Sequence, residues 1–405
     1  MNKQWLFLFS GNFAGVFNDN LLKNAILFIA IGWSLPEWLS RSQLVALVSG
    51  ALIVPYLFLS PLGGRWAVLY SKQAVFRWFK LIEFPIMALA SLAFLIENVY
   101  VALAAVLLMG IQSCLYSPAK YGLIRDIGGV EGSAKGSGIF EAMAFLGILT
   151  GTLVAAALSD SYRVGWLVCL FIGVAAFGYL VVALLRVDEL PVRTGAEGKV
   201  HLNPFRFIRS SYRLALRYPG VNRAVAGVSF FWMIGGMLQM NIIVHATMVL
   251  RVSNTATGLI MSMAAVGIII GNWVAGIVQK RWGKKTLLLL GLSGMALGMA
   301  VLAAVPAGAW AFGFVVSVVA LAGGFYQVPW LSHIQQSEAG RQAGQLLAYM
   351  NIMVFVFVLA GTLLFSLLNL VSKDNSYLVF FVLLLLIAAM LLSTVRYLYR
   401  KSNIV

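Results

Sequence analysis

The sequence predicts an all-α integral membrane protein of twelve transmembrane helices in two six-helix bundles. Three observations carry this. Of its 405 residues 61% are hydrophobic and only 10% charged, and the mean hydropathy is +0.92. The apolar runs approach the roughly 20 residues that cross a bilayer. A long polar break separates them six and six. So much apolar surface exceeds what one water-soluble core hides, which excludes soluble enzymes, secreted disulfide scaffolds and disordered chains.

The runs are read as 6–34, 43–63, 74–96, 99–118, 134–158, 163–185, 222–249, 256–279, 286–305, 309–330, 341–369 and 376–396. The first begins at Trp5 and continues through Asn18-Asp19-Asn20 and Lys23, polarity that a signal-peptide core does not tolerate, so it is expected to remain a membrane helix. The break divides the chain into an N-terminal bundle (1–185), a linker (186–221) and a C-terminal bundle (222–405). The linker carries Arg186, Arg193, Lys199, Arg206, Arg209, Arg213 and Arg217 against Asp188, Glu189 and Glu197. Within it Phe205, Phe207, Ile208, Tyr212, Leu214 and Leu216 alternate with the arginines, the pattern of an amphipathic helix. Such a helix lies on the anionic inner leaflet or packs on the spans, and the sequence leaves both open.

Loop charge sets the orientation. The net charge of +16 would suggest nucleic acid in a soluble protein, but 24 of the 29 Lys and Arg fall in the ends and alternate loops, four in the opposite loops and one inside a span. This is a positive-inside distribution and excludes nucleic-acid binding; both termini are expected to be cytoplasmic. Loop 2–3 is read as holding Arg65, Lys72, Arg77 and Lys80, and loop 8–9 as holding Lys280, Arg281, Lys284 and Lys285. The sequence ends in Arg396, Arg400 and Lys401, whereas Glu97-Asn98, Asp160 to Arg163 and Pro306-Ala307-Gly308 are near-neutral. Cys114 and Cys169 sit in apolar runs with no metal or CxxC spacing.

An internal repeat supports the division. Gly64-Arg65-Trp66-Ala67-Val68-Leu69-Tyr70-Ser71-Lys72 follows the second span, and Gly276-Ile277-Val278-Gln279-Lys280-Arg281-Trp282-Gly283-Lys284-Lys285 follows the eighth. The second copy resembles the G-x-x-x-D-R-x-G-R/K-R/K loop of the major facilitator superfamily, which implies the major facilitator fold. Gly64, Arg65, Gly276 and Arg281 are the candidate gating-loop residues. The motif's Asp is replaced by Val68 in one copy and Lys280 in the other, so a carboxylate latch in this loop is in doubt.

An ionisable side chain in lipid costs about 2.5–3.5 kcal/mol on insertion scales, so each needs a partner or a wet cavity. Asp19 and Lys23, spaced i, i+4 on one helical face, form either a self-neutralising pair or a cavity wall for a zwitterion; Asn18, Asn20 and Asn24 favour a wet lining. Glu141, beyond the small residues of Lys135-Gly136-Ser137-Gly138, lines a cavity or bonds a neighbouring helix. Glu83, beside Pro85, is expected to pair with Arg77 or Lys80. Lys120 is read as lying after the fourth helix, either contacting substrate or anchoring the helix end. The second half offers only uncharged polar residues (Gln239, Asn241, Asn272, Gln327, Gln345, Asn351) and His245, expected as a hydrogen-bonded interfacial residue rather than a proton relay. One cavity wall is thus expected polar and the other mostly apolar. There is no H-E-x-x-H, G-x-S-x-G or P-loop, and none of the three histidines starts an H-x4-D motif. Neither an enzyme nor a metal or cofactor is implied.

A narrower resemblance rests on Phe17-Asn18-Asp19-Asn20-Leu21-Leu22-Lys23-Asn24-Ala25, on Tyr116-Ser117-Pro118-Ala119-Lys120-Tyr121-Gly122, and on Lys135 to Glu141. Gly323-Gly324-Phe325-Tyr326-Gln327-Val328-Pro329, Ile334-Gln335-Gln336 and Asn351-Ile352 extend it. These resemble the bacterial lysophospholipid transporter family, especially members that precede acyltransferase and acyl-carrier-protein ligase domains in one chain. The resemblance implies inward movement of lysophosphatidylethanolamine across the bacterial cytoplasmic membrane for re-acylation; the chain, surrounded by membrane lipids, is expected to be a monomer. The acyltransferase and ligase would be partners on separate chains or parts removed from this one. The substrate site is then read as Asp19, Asn20, Lys23, Lys120, Glu141, Gln327 and Asn351, with Asp19 taking the headgroup amine, Lys120 or Lys23 the phosphate, and Asn20 and Glu141 holding them in position. Two rival readings remain: a proton-coupled exporter of amphipathic drugs or small solutes using Asp19 or Glu141, and a non-transporting scaffold docking an acyltransferase through 186–221.

Overall fold

The computed structural model describes residues 3–37, 39, 41–161, 164–189, 200–372 and 375–402. Arg163, Arg193, Glu197 and Lys199, assigned above to loops, lie outside them, as do the side chains of Asp160, Arg400 and Lys401. The described residues are helical almost throughout: α1 (Lys3–Phe28), α2 (Arg41–Leu69), α3 (Lys72–Leu95), α4 (Val99–Ser161), α5 (Val164–Ala183), α6 (Pro204–Leu216), α7 (Val221–Val244), α8 (Asn254–Ala304), α9 (Ala309–Gln335), α10 (Ala343–Ser372) and α11 (Ser376–Ser402). Among the described residues nine helices are long and apolar enough to cross a bilayer. Two of them, α4 and α8, each break at one glycine into two segments; with α1, which is not among the nine, twelve described helical segments correspond to the runs read above.

The breaks fall at Gly129 (φ 61°, ψ −163°) and Gly283 (φ 78°, ψ 157°), conformations open to glycine and closed to side chains carrying Cβ. They correct two expectations. The fourth span does not stop at 118 with Lys120 beyond it; helix continues through 128, and Lys120 is 8% exposed inside it. Nor is the motif after the second span a loop, because α2 runs to Leu69 and α3 begins at Lys72. Hydropathy marks where lipid contact ends, whereas a helix ends where a cap or a left-handed residue stops its hydrogen bonds.

The polar residues in these extensions are bonded inside the protein. Lys72 and Asp126 form a buried ion pair. Ser71 Oγ accepts from Ala74 N at the start of α3, and the Glu189 carboxylate accepts from Lys72 N at 2.7 Å, Gln73 N at 2.9 Å and Ser71 Oγ at 2.6 Å. A carboxylate at a helix N-terminus satisfies orphan N–H groups and meets the positive end of the dipole. The beginning of the linker is thereby fastened to α3. Asn203 caps α6 through Phe205 N and Arg206 N, with Pro204 in the first turn. That helix packs on the bundle through Phe207, Ser211 and Leu214, and Gln345 Nε2 donates to Ser211 Oγ at 2.9 Å.

By contact the chain forms two compact units: Met1–Gly132, Leu146–Asn222 and Ile334–Ile352 in one, and Ser133–Phe145, Arg223–His333 and Met353–Val405 in the other. Each contains a segment from the opposite half of the sequence. In the first, a Cβ on Gly64 of α2 would stand 2.6 Å from Ala348 Cβ of α10, and one on Gly344 would stand 2.8 Å from Ala67 Cβ. In the second, a Cβ on Gly138 of α4 would stand 2.5 Å from the Asn272 carbonyl oxygen of α8 and 2.7 Å from Gly276 Cα. The two repeat glycines, Gly64 and Gly276, therefore sit at close crossings of helices from opposite halves.

Candidate functional site

In the first unit α1 and α4 run antiparallel with polar stripes facing. Asn12, Asp19 and Lys23 fall on one side of α1, seven and four residues apart, and Ser113 and Lys120 fall seven apart on α4. Ser113 Oγ donates to Asp19 Oδ2 at 2.8 Å, and Lys120 Nζ donates to Asn12 Oδ1 at 3.0 Å. The Lys120 ammonium also lies 5.1 Å from the Tyr116 ring centroid, within cation–π range. Tyr116 is fixed by stacking on Phe76 and Phe79, with centroids 5.4 and 6.0 Å away.

Lys23 is half-buried and makes no ion pair with Asp19 among the described residues. Asn20 turns back on its own helix, Nδ2 donating to Val16 O at 2.8 Å, while Asn24 Nδ2 donates to Thr152 Oγ1 at 2.9 Å and holds α1 to α4. Asn351 Nδ2 donates to Ser117 Oγ at 2.9 Å, joining α10 to α4 one residue beyond Tyr116.

Behind this face lies a group not expected as a site. Lys80, assigned above to a loop, is two turns inside α3 and 0% exposed. Its Nζ donates to Glu83 Oε2 at 2.6 Å, and Asn18 Nδ2 donates to Glu83 Oε1 at 2.8 Å and to Phe171 O at 3.3 Å. Of the two partners expected for Glu83, Lys80 is the one found; Arg77 instead donates to the Val182 and Leu185 carbonyls. The ammonium is threaded between Gly15 and Gly178, where a Cβ on either would stand 3.0 Å from Nζ. Spacing i, i+3 in an apolar helix is the signal that marks the pair in sequence. Asn12 and Ser113 carry no signal of their own, and Asn18, expected in a wet lining, is instead 0% exposed against Glu83.

In the second unit Glu141, 2% exposed, accepts from Gln327 Nε2 at 3.1 Å, a bond between α4 and α9. Nearby polarity is unusually under-satisfied. Ser137 Oγ, Gln327 Oε1 and both side-chain polar atoms of Asn272 are buried without partners among the described residues. His245 Nδ1 pairs with Ser376 Oγ at 2.8 Å, and the ring stacks on Phe312 at 4.5 Å between Tyr377 and Phe380. This enclosure is the hydrogen-bonded setting expected of it. Arg65, next to Gly64, and Arg281, five residues after Gly276, are both exposed. The structure thus brings Asp19, Lys120 and Asn351 onto the faces of α4 in one unit, and Glu141 to Gln327 in the other.

Residues 8–362 match the family described as Major Facilitator Superfamily. Two similar curated proteins, from Photorhabdus laumondii and Shigella flexneri, are each named "Lysophospholipid transporter LplT". The first is 29% identical over 349 residues, 84% of this chain and 82% of that protein, and the second 28% identical over 351 residues with the same coverage. Among solved structures, a variant of the Escherichia coli fucose:proton symporter FucP superposes with a TM-score of 0.74 at 15% identity, covering 96% of this chain and 98% of that one. That likeness is one of fold.

Proposed function

Because the chain belongs to the Major Facilitator Superfamily, we propose that it is a multi-pass transporter of lysophospholipids, moving lysophosphatidylethanolamine and related lysolipids from the outer to the inner leaflet of a bacterial cytoplasmic membrane. The two relatives carrying that name over most of their length support the substrate class. Positive charge concentrated in alternate loops supports cytoplasmic termini. The six-plus-six repeat joined by residues 186–221 supports two bundles that alternate access.

The observation that carries the mechanism is the polar stripe of α1 and α4, along which one carboxylate lies between two ammonium groups. Asp19 accepts the headgroup ammonium beside the Ser113 hydroxyl. Lys23, one turn nearer the outer face, meets the phosphate first, about 6 Å along the axis from Asp19. Lys120, at the level of Asn12 and about 10.5 Å along the axis in the other direction, takes the phosphate as the headgroup descends. A single acyl chain need not leave hydrocarbon during this passage, so only the headgroup requires a polar path. The Lys80–Glu83–Asn18 group holds α1 in register, and Gly64 and Gly276, with Arg65 and Arg281 following them on the same helices, form the crossings that open and close. In the first unit Asn351 ties α10 to α4 through Ser117, and in the second Glu141 and Gln327 tie α4 to α9. The inward product is consumed by an acyltransferase acting from the cytoplasmic side, and the transporter itself works as a monomer.

The test is leaflet exchange of fluorescent lysophosphatidylethanolamine in proteoliposomes. Wild type exchanges above protein-free vesicles, and Asp19→Asn falls about tenfold or more, since charge-assisted hydrogen bonds contribute roughly 1.5–3 kcal/mol. Exchange indifferent to an imposed proton gradient separates this reading from a proton-coupled exporter of amphipathic solutes. No exchange above background by wild type overturns it.

A further inference from the structure

The helix α6 has three faces, and the packing described above uses one. At 3.6 residues per turn, Phe207, Ser211, Leu214 and Ala215 share the buried side. Adjacent to it lies an apolar stripe that is open in the chain: Phe205, Tyr212 and Leu216 are 83%, 49% and 63% exposed. Beyond that, Arg206, Arg209, Arg213 and Arg217 fall within an arc of about 80°, all four exposed. The helix contains no acidic residue, and among the described residues none of the four guanidiniums is in an ion pair.

We propose that this outer side of α6 is a docking surface for the anionic phospholipids of the leaflet on which the helix lies, the cytoplasmic one in the orientation proposed above. Charge and order of the stripes argue for this occupant. An acidic soluble protein satisfies the arginines but leaves Phe205 and Leu216 in contact with a second polar surface. A bilayer margin satisfies both stripes at once, phosphodiesters meeting planar guanidiniums in two-pronged fashion while the apolar stripe enters the acyl boundary. The buried side supplies a consequence. Ser211 bonds Gln345 and Tyr218 OH bonds Gln342 at 3.2 Å, so lipid held on α6 is mechanically connected to the start of α10, which crosses α2 at Gly64. Leaflet charge therefore bears on that crossing.

The experiment attaches bimane at position 205 through Phe205→Cys, in a Cys169→Ser background that removes the exposed thiol, and reconstitutes the protein in phosphatidylethanolamine vesicles. Quenching by spin-labelled phosphatidylglycerol is compared with quenching by spin-labelled phosphatidylcholine at equal mole fraction. Phosphatidylglycerol is expected to quench at about fivefold lower mole fraction, the selectivity of one arginine at an anionic surface. Arg206→Gln/Arg209→Gln/Arg213→Gln is expected to abolish the difference while leaving lysolipid exchange in phosphatidylethanolamine vesicles intact. Equal quenching by both lipids overturns the proposal. So does quenching by neither, which assigns the surface to a soluble partner. If the triple variant does not fold, the comparison of the two lipids on the labelled protein decides alone.

Discussion

Glu83→Gln isolates the charge of the buried group behind Asp19. It leaves Asn18 an oxygen to bond, so the 2.8 Å contact to α1 has a replacement acceptor, while Lys80 loses its counter-ion at 0% exposure. The ammonium has nowhere to turn, because Gly15 and Gly178 approach it from both sides. Removing one partner of a buried pair costs about 3–5 kcal/mol. Lys80→Met is expected to cost a similar amount by stranding the carboxylate with Asn18 alone. The double variant Lys80→Met/Glu83→Gln removes both charges and keeps the amide acceptor, so its loss is expected to be smaller than that of either single variant. Equilibrium unfolding of the four proteins in mixed micelles measures this cycle. If the single losses add to within about 0.5 kcal/mol, the two groups are independent and the buried-pair argument fails. If Glu83→Gln is as stable as wild type, the ammonium has another partner, and its threading between the glycines is not a constraint.

Three further outcomes follow from particular contacts. Gly138→Val pushes a branched side chain against the Asn272 backbone carbonyl, which cannot swing aside, and is expected to destabilise by more than the roughly 1–3 kcal/mol typical of overpacking. Size-exclusion profiles and thermal unfolding in detergent check it, with Gly173→Val in α5 as the control, since a Cβ there meets nothing within 4 Å. Lys120→Met keeps the stem over Tyr116 but loses the Asn12 bond and the charge; lysolipid exchange is expected to fall several-fold with the unfolding midpoint little changed, and equal losses in both would make the residue structural. His245→Phe preserves the stack on Phe312 and gives up one hydrogen bond, about 1 kcal/mol. Exchange rates under a proton gradient are expected to match wild type, and a lost gradient response would identify a proton relay.

Sequence and structure part company at polar residues near span ends. Charge ordinarily marks a loop, which places Lys72, Lys80 and Lys120 in water, yet each is buried against Asp126, Glu83 or Asn12. The same residues explain why α3 begins early and why the fourth span runs past Pro118 to Gly129. Asp19 is visible as a lone carboxylate in an apolar run, but its partner Ser113 is not, since a serine in a membrane helix more often bonds its own backbone. Gly64 and Gly276 are legible through their repeat, though as loop residues rather than as helix crossings.

Sequence by itself determined the solvent, the long apolar runs, the repeat and the intramembrane carboxylates Asp19, Glu83 and Glu141. Those depend on composition and period, which are properties of contiguous residues, and lipid enforces them strictly because it offers the backbone no hydrogen bonds. Only tertiary structure decided which charges are neutralised inside the protein and which stay available. Lys80 is held by Glu83, whereas Asp19 and Lys23 are left unpaired with each other on one face of α1. It also decided that the two contact units each take a segment from the other half of the chain. Such choices follow from the pairing of residues tens to hundreds of positions apart, and a linear pattern carries no record of which stripe faces which.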